Sequence, residues 1–259
     1  MRKVLLAGNW KMNKLPSEVP AFFQAYSQKA RLTEAPVRDR VELLFAVPYP
    51  LLAPAVAATQ GLPVTIAAQN VHQERAGAYT GEVSIDMLKD LGVGATLIGH
   101  SERRQYYGET DAIVAQKLRL CLDQGLQPIV CIGETKEERE GGQTEGILQK
   151  QMAALFDQVA QWQGITIAYE PVWAIGTGLT ATDEQAQQAH SFVRELIRQR
   201  YNQEAAAATR ILYGGSMKPA NCAGLLQQPD IDGGLVGGAS LKEDDFAAMT
   251  QTALEFTKQ

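Results

Sequence analysis

The sequence predicts an α/β protein, a closed (β/α)8 barrel built as a single domain of 259 residues. Three features carry that expectation. Short apolar runs recur along the chain, each run is continuous rather than alternating, and segments of helical periodicity lie between them. Parallel strands covered on both faces read as continuous apolar runs, because neither face meets water. Strands alternating with helices imply βα units joined by right-handed crossovers.

In chain order the runs are VLLAGN (4–9), VELLFAV (41–47), VTIAAQN (64–70), ATLIGH (95–100), QPIVCIG (127–133), ITIAYE (165–170), TRILYGG (209–215) and IDGGLVGG (231–238), eight in all. After the fourth run, Val114, Leu118, Cys121 and Leu122 return at helical spacing. The segment 182–197 does the same with Ala186, Ala189, Val193 and Ile197, and it opens on Thr182 with Gln185 three places on, a capping box. Ser240 with Glu243 repeats that device near the C-terminus. Eight βα units in a chain of this length fit a closed barrel. An open doubly wound sheet with a dinucleotide site would carry G-x-G-x-x-G straight after its first strand, whereas this first run ends Gly8-Asn9-Trp10-Lys11. No Pro/Gly/Ser-rich linker or low-complexity tract divides the chain.

Composition narrows the function classes. A formal charge of -5 argues against nonspecific attraction to nucleic acid or an anionic membrane, though not against a local site for a small anion. The three cysteines, Cys121, Cys131 and Cys222, form no CxxC pair or metal spacing, which suits a reduced cytoplasmic protein. The apolar run near the N-terminus is too short for a signal-peptide core, and no stretch approaches a membrane span. Three scattered histidines give no zinc pattern, and no acidic cluster calls for a divalent ion; the expectation is no metal and no cofactor.

Polar residues collect at the ends of the runs. Asn9 and Lys11 follow the first, His100 and Glu102 the fourth, Glu170 the sixth, and glycine-rich turns the seventh and eighth. In a barrel these ends share one face, the one that carries active sites. Pro171 biases Glu170 toward extended backbone. A strand-end glutamate commonly pairs with a base or faces solvent. Here the next residues are uncharged, with apolar Trp173 and Ile175 and permissive Gly176 and Gly178. A lid of that kind would exclude water and raise the basicity of the carboxylate, as proton abstraction from carbon requires.

His100, just ahead of an expected short helix, has backbone N–H groups nearby that favour a neutral ring able to donate to a carbonyl oxygen. His72 and His190 receive no role. Lys11 offers a cation for an anionic substrate or an enediolate; a Schiff-base role stays open beside it. Gly214-Gly215-Ser216 and Gly237-Gly238 read as phosphate seats, where backbone N–H groups approach closely.

The stretches GNWKMN (8–13), QN (69–70), GAYTGE (77–82), IGHSERR (98–104), CIGET (131–135), AYEPVWAIGTG (168–178), YGGS (213–216) and GLVGGASL (234–241) resemble the triosephosphate isomerase family across essentially the whole chain. The resemblance implies a TIM barrel of glycolysis and gluconeogenesis that interconverts D-glyceraldehyde 3-phosphate and dihydroxyacetone phosphate through an enediol(ate). It implies Glu170 as the base, His100 as the neutral electrophile, and Lys11 and Asn9 as groups that bind substrate and stabilise the enediolate. Glu102 is similar to a buried partner of that lysine, and Gly176, Ser216, Gly237 and Gly238 to the phosphate grip. Residues 171–181 look like a lid. Residues 69–82, with Thr80 near the tip, look like a loop that enters the partner of a homodimer. Cys131 is read as a packing residue near the site, and Tyr213 as a supporting one.

One departure is visible. The family usually carries lysine after GTG, where this chain has Leu179, so altered lid opening rather than altered chemistry is expected. The rival readings are an epimerase or aldolase acting on a sugar phosphate, and a barrel kept only as a scaffold.

Overall fold

Eight parallel strands pair in sequence order and close on themselves, β8 returning to β1 with Leu5 opposite Gly233 and Gly8 opposite Val236. They are β1 (Val4–Asn9), β2 (Val41–Val47), β3 (Val64–Ala68), β4 (Ala95–Ile98), β5 (Gln127–Ile132), β6 (Thr166–Tyr169), β7 (Arg210–Tyr213) and β8 (Gly233–Val236). The computed structural model describes residues 2–174 and 180–256. Helices cross between strands and form the outer layer, so the expected single-domain (β/α)8 barrel is the architecture found.

Strands β1 and β2 have the bounds of their apolar runs, and the other six are shorter. Most of the missing residues lie at the C-terminal ends: Gln69 and Asn70, Gly99 and His100, Gly133, Glu170, Gly214 and Gly215, Gly237 and Gly238. Hydropathy merges these positions with the strands, but the chain has left the ladder there and turned toward the mouth of the barrel.

The interior explains which side chains reach that mouth. Leu5, Ala7, Leu44, Ala46, Ala67, Leu97, Cys131, Ala168, Leu212 and Leu235 belong to one buried cluster that fills the barrel. Successive side chains on a strand point to opposite faces. Two residues beyond Ala7 is therefore Asn9, beyond Ala67 is Gln69, and beyond Ala168 is Glu170; beyond Leu212 and Leu235 come Gly214 and Gly237. The pleat that packs the core also presents the polar residues.

The second core lies between sheet and helices. Phe22, Phe23 and Tyr26 of the Val19–Lys29 helix pack on Trp10, Phe45 and Phe246, with Trp10 and Phe22 edge-to-face at 4.9 Å. The indole of Trp10 donates to the Ser240 carbonyl at 3.1 Å, which ties the end of β1 to the turn after β8. The Asp183–Arg200 helix buries Ala186, Ala189, Val193 and Ile197 as its pattern predicts, and Thr182 and Gln185 form both bonds of the capping box. The matching box at Ser240 does not form. Ser240 is buried inside the short 3-10 turn Gly238–Leu241, its hydroxyl donates to the Gly237 carbonyl at 2.7 Å, and the last helix begins instead at Glu243. No helix among the described residues is long and apolar enough to cross a membrane.

Candidate active site

Glu170 comes one residue after β6, and its N–H donates to the Ile132 carbonyl at 2.7 Å, a rung that outlasts the strand pair. The side chain is only 2% exposed. Its carboxylate accepts the backbone N–H of Ser101 at 2.9 Å and the Ser101 hydroxyl at 3.2 Å, and His100 Nε2 stands 3.0 Å from Oε1. Burial pushes this carboxyl upward, but His100, the Ser101 N–H and Lys11 together outweigh it, leaving the group below its ordinary value.

His100 caps the Ser101–Tyr107 helix, with Nδ1 accepting the Glu102 N–H at 3.2 Å. That bond leaves the proton of the neutral ring on Nε2, facing Glu170. Burial disfavours the charged ring, yet contact with the Glu170 carboxylate raises its pKa above the ordinary value. The sequence suggests a neutral imidazole and a more basic carboxylate. The structure shifts both the other way because the two groups touch each other.

Lys11 adopts left-handed backbone, φ 49°, an uncommon conformation for a residue with a side chain. Its N–H donates to Asn9 Oδ1 at 3.0 Å. The Gln69 amide donates to Asn9 Oδ1, to the Lys11 carbonyl at 2.9 Å and to the Ala46 carbonyl at 3.1 Å, so the strained loop is held from three sides. The ammonium pairs with Glu102 at 2.6 Å. Glu102 is thus the expected partner of the lysine but not a buried one, since its side chain is 40% exposed on the first turn of its helix.

Asn9, Lys11, His100 and Glu170 line one pocket of about 680 Å³ together with Gly214, Gly215, Ser216, Gly237 and Gly238. Gly214 permits the close approach: a β-carbon there would lie 2.8 Å from Glu170 Cγ and 3.0 Å from the Tyr169 carbonyl. Gly238 opens the short 3-10 turn Gly238–Leu241.

The remaining expected residues fall as follows. Cys131 is buried in the barrel, and burial, with Glu170 nearby, pushes its thiol well up, so it is an inert packing group. Tyr213 is buried beneath Gly215, and burial raises its hydroxyl to about 12. Thr80 is exposed on the 69–82 loop and does not line the pocket of its own chain. Gly176, Leu179 and most of the lid's far half lie outside the described residues. Neither histidine left without a role reaches the pocket: His72 packs on the Tyr79 ring at 4.2 Å, and His190 is fully buried on its helix.

Two contacts were not legible in advance. Ser101 holds the carboxylate of Glu170, although GHSERR marks it only by adjacency to His100. Buried Glu134 accepts the Tyr169 hydroxyl and the Trp173 indole, each at 3.0 Å, fixing the chain on both sides of Glu170. Among the described residues no group of three or more His, Cys, Asp or Glu side chains is arranged to hold a metal ion.

Fold and pocket define the class first: a (β/α)8-barrel enzyme with a buried glutamate–histidine pair and glycine-rich loops at the C-terminal ends of its strands. Comparison with known proteins narrows it. The triosephosphate isomerase family model matches residues 4–253. A triosephosphate isomerase of Acetivibrio thermocellus is 50% identical over 247 residues, covering 95% of this chain and 96% of its own. One from Delftia acidovorans is 51% identical over 254 residues, with 98% and 100% covered. One from Syntrophotalea carbinolica is 47% identical over 248 residues, with 95% and 96% covered. The chain belongs to the triosephosphate isomerase family and is an isomerase.

Proposed function

We propose that the chain interconverts D-glyceraldehyde 3-phosphate and dihydroxyacetone phosphate by proton transfer between adjacent carbons, with Glu170 as base. Glu170 takes the proton from the hydroxyl-bearing carbon, and the C–H electron pair becomes the C=C bond of an enediolate. The carbonyl oxygen takes the charge, stabilised by His100 Nε2–H and the Lys11 ammonium. His100 gives that oxygen its proton and takes the one on the neighbouring hydroxyl, so that as the carbon proton is delivered to the former carbonyl carbon the other oxygen becomes the new carbonyl. Asn9 orients the substrate and buttresses Lys11. The phosphate rests on Ser216, Gly237 and Gly238, with Gly176 in the same grip.

The observation that carries this reading is the pairing of His100 and Glu170 at 3.0 Å on the wall of the pocket that holds Lys11 and the glycine turns. When the carboxylate turns from the ring to a substrate carbon, the charge that raises His100 departs. Burial, the Glu102 N–H and Lys11 remain, and all three favour the neutral ring the mechanism uses against the smaller pull of the Glu102 carboxylate. Residues 171–181 serve as the lid, shielding the enediolate from phosphate elimination.

The active form in this reading is a cytoplasmic homodimer, with the 69–82 loop and Thr80 reaching the partner's site. Exposed apolar side chains support it: Met12 at 95%, with Leu15, Tyr79, Met87, Tyr106 and Tyr107, on the segments that follow β1, β3 and β4. The test is isomerisation of glyceraldehyde 3-phosphate in the presence of a chelator, with Glu170→Asp alongside and sedimentation of the same sample. Fast turnover, strongly reduced in the variant, supports the reading. Loss of activity with the chelator, or trapping of Lys11 by borohydride with substrate, overturns it in favour of an epimerase or an aldolase.

A further inference from the structure

Past the end of β5 the ladder continues on one side only. Toward β6, the Glu170 N–H donates to the Ile132 carbonyl at 2.7 Å and the Val172 N–H to the Glu134 carbonyl at 3.1 Å. Gly133 sits between these two acceptors, so its own N–H and C=O point the opposite way, toward β4. There the neighbour has ended: β4 stops at Ile98, which pairs with Val130, and the chain turns away at Gly99 with φ +72°.

One side chain takes the place of the missing strand. Gln151, on the Thr144–Phe156 helix, accepts the Gly133 N–H on Oε1 at 2.8 Å and donates from Nε2 to the Gly133 carbonyl at 3.0 Å. A primary carboxamide offers the donor and acceptor of a peptide group in the same plane, and both bonds exist in only one orientation of the amide. Two residues earlier on the same edge, Arg104 donates to the Cys131 carbonyl at 3.2 Å and to the Gly99 carbonyl at 2.8 Å.

The clamp bears directly on Glu170. A β-carbon added to Gly133 would lie 1.8 Å from the Glu170 carbonyl oxygen, so the two backbones are already in contact. We infer that Gln151 is a positioning residue for the reaction: it locks the Gly133 peptide, and through it the height and tilt of the Glu170 backbone. The inference rests on Glu170 being the base, and it adds a residue that never touches substrate. A misplacement of about 1 Å at a reacting group lowers rate by about 10²-fold.

The test compares three variants as purified enzymes. Gln151→Leu removes both bonds, and kcat is expected to fall tenfold or more while KM stays within about twofold, since Gly133 does not line the pocket that holds the phosphate seats. Gln151→Glu mimics the carboxamide only when protonated; ionised, it sets a carboxylate against the Gly133 carbonyl. Its kcat relative to wild type at the same pH is therefore expected to rise as pH falls from 7 to 5, toward the ordinary carboxyl value of about 4.3 that the Gly133 carbonyl pushes upward. Glu170→Gln, run in parallel, reports on the base itself.

A folded Gln151→Leu enzyme with wild-type kcat overturns the inference. If that variant does not fold, a Gln151→Glu activity ratio that is flat with pH overturns it instead. Wild-type activity in Glu170→Gln would remove the underlying reading, an outcome distinct from either.

Discussion

His100 Nε2 and Glu170 Oε1 stand 3.0 Å apart, each nearly excluded from solvent, and each shifts the other toward its charged form. The contact on the pocket wall is therefore also a pH-dependent element of stability. A carboxyl lowered below its unfolded value of about 4.3 contributes above that value and loses its contribution as pH falls through the folded pKa. A histidine raised above its unfolded value of about 6.5 contributes fully below it, and the contribution fades as pH rises through the folded pKa. The two windows overlap between about pH 4.3 and 6.5. A double-mutant cycle on unfolding free energy, with His100→Gln and Glu170→Gln, should give its largest coupling near pH 5.5 and a smaller one at pH 9. A coupling independent of pH would mean that the contact is a neutral hydrogen bond.

His190 gives a shift of opposite meaning. Burial, with Arg194 nearby, holds it down to about 4 against the pull of Asp232 and Asp230. Its Nδ1 lies 3.2 Å from the Asp230 carbonyl, Nε2 has no hydrogen-bond partner among the described residues, and the ring packs near those of Tyr169 and Tyr213. Between about 6.5 and 4 the unfolded chain binds this proton and the folded chain does not, so stability falls with falling pH by about 3 kcal/mol in all. Urea unfolding at pH 7 and 4.5 should show His190→Gln losing about 2 to 3 kcal/mol less than wild type over that interval. Equal losses would place the acid sensitivity elsewhere.

The Lys11–Glu102 pair should split into unequal halves. Lys11 lines the pocket and no neutral residue replaces its charge, so Lys11→Met is expected to lower kcat/KM by about 10³-fold or more. Glu102 is part-exposed, and ion pairs screened by water are worth only about 1 kcal/mol or less, so Glu102→Gln should change kcat/KM by less than about tenfold. Steady-state kinetics at two salt concentrations checks both. An equally severe loss in Glu102→Gln would show that the carboxylate does more than steady the lysine.

The frame of this molecule was legible because parallel strands buried on both faces repeat as short apolar blocks, and all eight blocks are strands. The rim was legible because a polar residue two places beyond an inward-facing apolar one points to the mouth; Asn9 and Glu170 follow that rule. What stayed hidden depends on contacts between distant segments. Ser101 looks like any helix-start serine until the fold brings Glu170 to it. Gln151 is one polar residue in a mixed helix, and only the register of β4 against β5 reveals a peptide edge for it to cover. The Ser240 and Glu243 spacing misled because it matches a capping box, while a tertiary bond from Trp10 and a local one to Gly237 hold the serine in the preceding turn.

Gly214 and Gly237 make the most discriminating pair of substitutions, because an added methyl group meets different partners. At Gly214 the new β-carbon would press on Glu170 Cγ at 2.8 Å and on the Tyr169 carbonyl at 3.0 Å, so either the base or the end of β6 must move. At Gly237 the nearest atom is Lys11 Cε at 3.7 Å, an ordinary contact, and nothing need shift in the protein itself. A methyl group there instead stands where a phosphate would approach the backbone. Gly214→Ala should therefore lower kcat by about tenfold to a hundredfold with little change in KM, by displacing Glu170 from the place the proposed reaction needs. Gly237→Ala should raise KM and the inhibition constant for inorganic phosphate together, with kcat nearly retained. If both variants lose kcat alone, the turn after β8 is part of the chemical machinery and not a seat for the phosphate.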